Sequence, residues 1–323
     1  ALVLSGYRYH LPNTTLIKSA AIMLLVTSYF LAPALEARPQ QLGIALAFLI
    51  CLQVTSQPQT STGWLLAALL PLAFWHVLSF FVAIAYLSVW KLILWRLGSL
   101  RGGAILLWFV LASSLLVSLI GSRAYRSLLE DVLANHLPGQ VTLALLIISS
   151  VLLVTCFCAV PVRLWRKVRA LCLSHINVVV AIIFLLSAIA LTLQWRLLPS
   201  AALQDYGGSA VTFCMWHAGN MGFCFCYLLG LQICFRGEVD GLQAFVNGSL
   251  ILLVFASLAL FASLFLAHVN WMIRILYFWI PFAAPLSALG LGKLLSHADK
   301  FRHLILFCLF MASLSHVVRL SIV

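Results

Sequence analysis

The chain consists mainly of apolar blocks of about 18 to 25 residues, separated by short stretches that carry the charges. A helical block of this length crosses a hydrocarbon core of about 30 Å. Hydrophobic residues make up 64% of the chain and charged residues 8%, whereas soluble domains carry roughly 25% charged residues. A soluble fold could not cover its surface with so few charges. The sequence therefore predicts an all-α, polytopic membrane protein.

About ten apolar runs are bounded by charge, Pro or Gly, and each predicts a transmembrane helix. Their approximate bounds are 16–35, 42–55, 63–90, 104–120, 141–160, 176–193, 210–233, 249–268, 273–291 and 304–323. The second run is short for a span, so it is either re-entrant or paired with the overlong third, which Pro71 and His76 would break. Residues 1–323 are predicted to form a single integral membrane domain. Because the chain opens at Ala1 without Met, we expect a further stretch upstream.

Loop charges predict the orientation of these spans. Residues 163–169, directly after the fifth run, contain four cations, and cytoplasmic loops are the ones enriched in Lys and Arg. Alternation along the runs then places Lys91, Arg96 and Arg101 on the cytoplasmic side as well. The same rule accounts for most of the net charge of +12, so the basic balance does not indicate nucleic acid.

The predicted outer face keeps cations that this rule does not explain. They are Arg8, Lys18, Arg123, Arg126, Arg196, Arg274 and Arg319. Arg274 differs from the rest because apolar residues flank it on both sides, and a guanidinium in such a position needs a cavity or a partner. Its fork of donors suits phosphate, and Tyr277 and Phe278 would share its helix face. These residues predict a site for an anionic ligand at the outer leaflet, although Arg126 could instead pair with Glu130.

Groups for proton transfer are scarce on the outer side. Asp205 and His268 are the leading candidates for a general base, Asp205 because Gly207 and Gly208 follow it and His268 because it precedes Arg274 by six residues. All seven carboxylates fall in loops or helix ends, which disfavours a cation-coupled pump. The cysteines lack the paired spacing of a zinc site, and no nucleotide-binding fingerprint occurs. We therefore predict neither a metal nor a cofactor.

The segment from Arg274 through Tyr277 to Pro281 resembles a late-helix pattern of the EpsG-type (Wzy-like) family, a branch of the bacterial exopolysaccharide and O-antigen polymerases. The general plan of about ten spans with outer arginines is also similar. The four residues ending at Arg8 are distantly similar to the family's early arginine segment. In the family a Gly and an Asp follow that arginine, whereas residues 10–13 here read His-Leu-Pro-Asn.

The resemblance implies a glycosyltransferase of the bacterial inner membrane that joins polyprenyl-pyrophosphate-linked oligosaccharide repeats, in contact with membrane lipids and other polysaccharide-assembly proteins. Arg274, with Tyr277 and with Arg8, Arg123 or Arg126, would hold the pyrophosphate. Asp205 or His268 would activate the acceptor hydroxyl. Two alternatives stay open, and neither is an enzyme. One is a transporter or flippase of an amphipathic anion, and the other is a non-catalytic subunit of a larger membrane complex.

Overall fold

The computed structural model describes residues 2–11, 13–26, 39–57, 59–123, 210–239, 241–266 and 270–297, together with 178 and 302–303. These residues are predominantly helical, and no strand occurs among them. They form the helices α1 (Leu2–His10), α2 (Thr14–Val26), α3 (Pro39–Ser56), α4 (Thr62–Trp75), α5 (Val77–Arg96), α6 (Gly102–Gly121), α7 (Ala210–Phe235), α8 (Gln243–Leu266) and α9 (Asn270–His297). The all-α prediction is confirmed for this part of the chain. The predicted spans at 141–160, 176–193 and 304–323 fall outside it, apart from residue 178.

Three stretches of these helices are long and apolar enough to cross a membrane. They are Val77–Arg96, Gly102–Leu119 and Ile275–His297. Five shorter apolar helical stretches of 10–17 residues accompany them within the described ranges. The chain is accordingly a helical membrane protein, while the full count of ten spans stays a prediction.

The structure breaks the overlong third run at His76, one of the two positions that the sequence predicted. Pro71, the other, lies inside α4 and does not end it. The His76 backbone is extended, with φ −151° and ψ 93°, and it separates α4 from α5. Its Nδ1 accepts a hydrogen bond from the Ser79 backbone N–H at 3.2 Å and lies 2.6 Å from the Ser79 hydroxyl. His76 therefore caps α5 and satisfies an N–H group that the helix start would otherwise leave exposed.

The chain forms two compact units. The first unit comprises residues 1–41, 171–253 and 276–323, and the second comprises residues 42–170 and 254–275. Helices α3, α8 and α9 each contribute residues to both.

In the first unit, α7 and α9 approach each other at two glycines. A Cβ atom on Gly230 would overlap the Leu286 carbonyl group, and one on Gly290 would overlap the Cys226 carbonyl group. Ser287 also donates from its hydroxyl to the Phe223 carbonyl at 3.2 Å. Small residues that let backbones approach, together with hydroxyl bridges, are the usual means by which helices associate in lipid.

A buried hydrogen bond joins helix α1 to α9. The hydroxyl of Tyr7, which is fully buried, donates to the Pro281 carbonyl at 2.5 Å. Pro285 follows Pro281 by four residues and has no N–H, so the usual α-helical hydrogen bond to that carbonyl is missing. The Tyr7 ring also meets Phe245 of α8 edge-on, with 5.9 Å between centroids. The sequence analysis did not predict α1, although Val3 and Tyr7 stand one helical turn apart and are both buried.

In the second unit, hydroxyl groups join neighbouring helices. The hydroxyls of Thr55 in α3 and Tyr86 in α5 lie 2.6 Å apart, and both residues are buried. The indole N–H of Trp108 in α6 donates to the Ser88 hydroxyl of α5 at 3.1 Å. Each bond pairs polar atoms that lipid could not satisfy.

We expect Gly230→Ala to destabilise the protein by about 1–3 kcal/mol, because the added methyl group would push α7 away from the Leu286 carbonyl. Gly103→Ala is the matched control, since a Cβ at Gly103 meets nothing within 4 Å. Denaturation of both purified variants in detergent, followed by circular dichroism, measures the difference. Equal stability of the two variants would show that the helices tolerate separation at Gly230.

We expect Tyr7→Phe to cost about 1–3 kcal/mol, because the Pro281 carbonyl would stay buried without its donor. Tyr9→Phe is the control on the same helix, since Tyr9 is 75% exposed. The same denaturation measurement applies, with limited proteolysis of α1 as a second readout. Unchanged stability and unchanged protection of α1 would contradict the anchoring role of Tyr7.

Candidate anion-binding site

The predicted site begins on α9, where an arginine and two prolines follow one another. Arg274 lies in the second turn of this helix, and Pro281 follows seven residues later, or about 10 Å along the axis. Tyr277 lies between them and is half-buried, while Phe278 is 3% exposed. The structure thus confirms a helix from Arg274 through Pro281. The side chain of Arg274 is not among those described.

Pro281 and Pro285 remove two N–H groups from one stretch of α9. The carbonyl that Pro285 leaves without a helical donor is the acceptor for Tyr7. The proline-containing part of α9 is therefore a docking point for α1. A pair of prolines at this spacing was visible in the sequence, but the sequence does not indicate which distant hydroxyl would reach the carbonyl.

Arg8 follows the anchoring residue Tyr7 directly and is exposed. The first acidic residue of the chain is Glu36, so neither α1 nor α2 offers a carboxylate to this guanidinium. His10, near the end of the same helix, is partly buried, and burial lowers its pKa from the ordinary value of 6.5. At neutral pH the charge of α1 is therefore that of Arg8.

The other predicted ligands of the anion fall elsewhere. Arg123 is exposed just beyond the end of α6 and belongs to the second unit, as does Arg274, whereas Arg8 and Tyr277 belong to the first unit. Arg126, Asp205 and His268 lie outside the described residues, so their roles stay predictions. The structure brings α1, with Arg8, to the proline segment of α9 and gives no placement of the general base.

This arrangement can recognise an anion. An exposed guanidinium on a short helix that is fixed by its neighbour has less conformational freedom to lose when a phosphate oxygen binds. Within the ranges that the structure describes, no three His, Cys, Asp or Glu side chains group as metal ligands. The described residues of this site offer hydrogen-bonding groups and the positive charge of Arg8.

The resemblance to exopolysaccharide polymerases is a prediction from the sequence, and it depends on two short segments, residues 5–8 and residues 274–281. Both segments are helical, and the hydrogen bond from Tyr7 to Pro281 joins them. Comparisons with protein-family models, with curated proteins and with solved structures find no match to this chain.

Proposed function

We propose that this protein is an integral membrane glycosyltransferase that joins polyprenyl-pyrophosphate-linked oligosaccharide repeats at the outer face of a bacterial inner membrane. The observation that supports the proposal most directly is the Tyr7–Pro281 hydrogen bond, which attaches the helix carrying Arg8 to the proline segment that follows Arg274. The two segments that carry the family resemblance are thereby joined through their own residues.

The substrate class follows from the surroundings of the two arginines. A polyprenyl pyrophosphate combines an anionic head with a tail that stays in the membrane. Arg8 is exposed on a short helix, and Arg274 directly precedes the stretch of α9, from Ile275, that is apolar enough to cross a membrane. Guanidinium groups at such positions suit the head because their paired donors match phosphate oxygens.

Catalysis in this scheme is electrostatic. The bond between the donor sugar and the pyrophosphate breaks, and negative charge builds on the leaving pyrophosphate oxygen. Arg274, the leading predicted ligand of the pyrophosphate, stabilises that charge. Asp205 or His268 takes the proton from the acceptor hydroxyl as that oxygen attacks the sugar carbon. Partner proteins of polysaccharide assembly would deliver the lipid-linked repeats.

We expect Arg274→Ala to lower polymerisation by about 100-fold or more, because a donor aimed at developing charge is worth that much in other enzymes. Arg274→Lys should restore little, since one ammonium cannot replace a bidentate fork. The measurement is the length distribution of surface glycan, and of lipid-linked intermediates, in a deletion strain that expresses each variant. Single-repeat lipid-linked oligosaccharide should accumulate.

Arg302→Ala is the matched control, because Arg302 is exposed and lies outside the predicted site. It should leave the glycan ladder unchanged at equal protein level. A normal ladder with Arg274→Ala would contradict the assignment of this residue. A normal ladder in the deletion strain itself would overturn the polymerase. Movement of a labelled lipid by purified protein in liposomes, without covalent change, would then identify a transporter.

A further inference from the structure

The junction between α4 and α5 consists of a single residue. Helix α4 ends at Trp75, α5 begins at Val77, and His76 between them has an extended backbone. The first N–H groups of a helix have no partner inside it, and an acceptor side chain at the preceding residue satisfies one of them. Here that acceptor is an imidazole ring. Unlike a Ser or Asn side chain, it takes up a proton between about pH 5 and 8.

The cap requires the neutral form of His76. Its Nδ1 accepts a hydrogen bond from the Ser79 backbone N–H at 3.2 Å. A ring nitrogen that accepts a hydrogen bond carries no hydrogen, so the hydrogen of the neutral ring is on Nε2 in this arrangement. A protonated imidazole has a hydrogen on both nitrogens and can only donate. Protonation of His76 therefore removes the acceptor from the start of α5.

The Ser79 hydroxyl gives a protonated Nδ1 a different partner. Its oxygen lies 2.6 Å from Nδ1, within hydrogen-bond distance. A hydroxyl can donate to the neutral ring nitrogen and can accept from the protonated one. In the second case the Ser79 backbone N–H loses its acceptor. Because Ser79 is fully buried, solvent does not reach this N–H in the folded arrangement.

The start of α5 also disfavours a positive charge on the ring. The aligned peptide dipoles of a helix place about half a positive elementary charge at its N-terminus. A neutral imidazole at this position is not repelled, whereas an imidazolium is. The hydrogen bond and the helix dipole therefore both favour the neutral ring.

The described helices of the second unit bring no carboxylate to the junction. Apart from His76, their titratable or charged side chains are Cys51, Tyr86, Lys91, Arg96 and Arg274. On α5 itself the first of these is Tyr86, about 15 Å along the helix axis from His76. None of the cations in this set would stabilise a charged ring.

Helix α3 packs directly on the junction. A Cβ atom on Gly43 would lie 2.6 Å from the His76 Cβ and 2.9 Å from the Ser79 Oγ. The ring and the hydroxyl therefore have little free space on this side. A change in the hydrogen bond between them acts on α3 as well as on the first turn of α5.

The length of α5 places the junction near a membrane boundary. Its 20 residues extend for about 30 Å, which matches the thickness of the hydrocarbon core. The cations Arg96 and Arg101 predict that the end of α5 is cytoplasmic. His76, at the opposite end, is then predicted to lie at the outer boundary, where its protonation follows the pH of the external medium.

We infer that His76 is a pH-sensitive helix cap, which closes the start of α5 when the ring is neutral and opens it when the ring is protonated. The capped arrangement binds only the neutral ring. The stability that the cap contributes is therefore present above about pH 6.5, the ordinary histidine value, and is lost as the pH falls below it. This device does not depend on the proposed polymerase activity.

The test measures hydrogen–deuterium exchange of backbone amides in the full chain, purified in a neutral detergent. Mass spectrometry follows peptides that cover residues 77–82 at about pH 7.5 and about pH 5, on either side of the ordinary histidine value. The rates are corrected for the pH dependence of chemical exchange. His76→Asn supplies a cap that does not titrate, and His297→Asn makes the same change at an exposed histidine of α9.

We expect the wild type and His297→Asn to lose protection at the start of α5 by about 2- to 30-fold at the lower pH, the range that corresponds to the loss of a helix cap. His76→Asn should show the same protection at both pH values. An equal loss in His76→Asn and in the wild type would overturn the inference.

A comparison within the unmodified protein covers the case in which His76→Asn does not fold. The start of α4 is capped by the Ser61 hydroxyl, which accepts from the Trp64 backbone N–H at 3.3 Å and does not titrate. In the wild type, acid should therefore lower protection at the start of α5 and leave the start of α4 unchanged. Unchanged protection at α5, or an equal loss at both starts, would overturn the inference without any variant.

Discussion

Inside a membrane every backbone carbonyl needs a hydrogen-bond donor from the protein, and this requirement governs the first unit. The two prolines of α9 have no N–H group, so two backbone carbonyls lose their usual donor, and lipid tails cannot replace it. The Tyr7 hydroxyl meets the requirement at Pro281 and in doing so holds α1 against α9. The position of α1, and with it that of Arg8, thus follows from the hydrogen bond that the Pro281 carbonyl of α9 requires.

Other contacts of the first unit also pair each buried hydroxyl with an acceptor inside the protein. Trp279 stands edge-on to Phe223 and Tyr227, and the Tyr227 hydroxyl donates to Ser249 at 3.0 Å. The Ser249 hydroxyl in turn donates to the Val246 carbonyl at 3.0 Å. Lipid tails are as apolar as these side chains, so the hydrophobic effect does not favour one helix pairing over another. Close packing and hydroxyl bonds select the pairing instead.

The sequence predicted most of the helices that the structure describes, because their length and polarity are local properties. The run 104–120 became Gly102–Gly121, and the break at His76 was foreseen from a proline and a histidine within an overlong apolar run. Helix α1 was missed, since residues 7–10 are polar or aromatic and the partners of the buried Tyr7, among them Phe245 and Pro281, are distant in the sequence.

The candidate site was predictable only in part for a related reason. Arg274 was conspicuous because a guanidinium among apolar residues is rare, and its helical setting follows from the run around it. The anchoring of α1 beside Pro281 was not predictable. Helices that are apolar on every side have no periodic pattern to indicate which face meets which neighbour. Lys91 was assigned to a cytoplasmic loop, whereas the structure places it within α5, with its ammonium 5.4 Å from the centroid of the Trp108 ring.

The sequence separation of 274 positions between Tyr7 and Pro281 also sets an order of events during synthesis. A ribosome that adds about 5–20 residues per second needs on the order of tens of seconds to travel from one to the other. For that whole interval α1 exists without its partner, so it must wait at the membrane surface or in a temporary contact. The contact between α1 and α9 therefore forms late, when α9 inserts and the Pro281 carbonyl accepts the hydrogen bond from the Tyr7 hydroxyl.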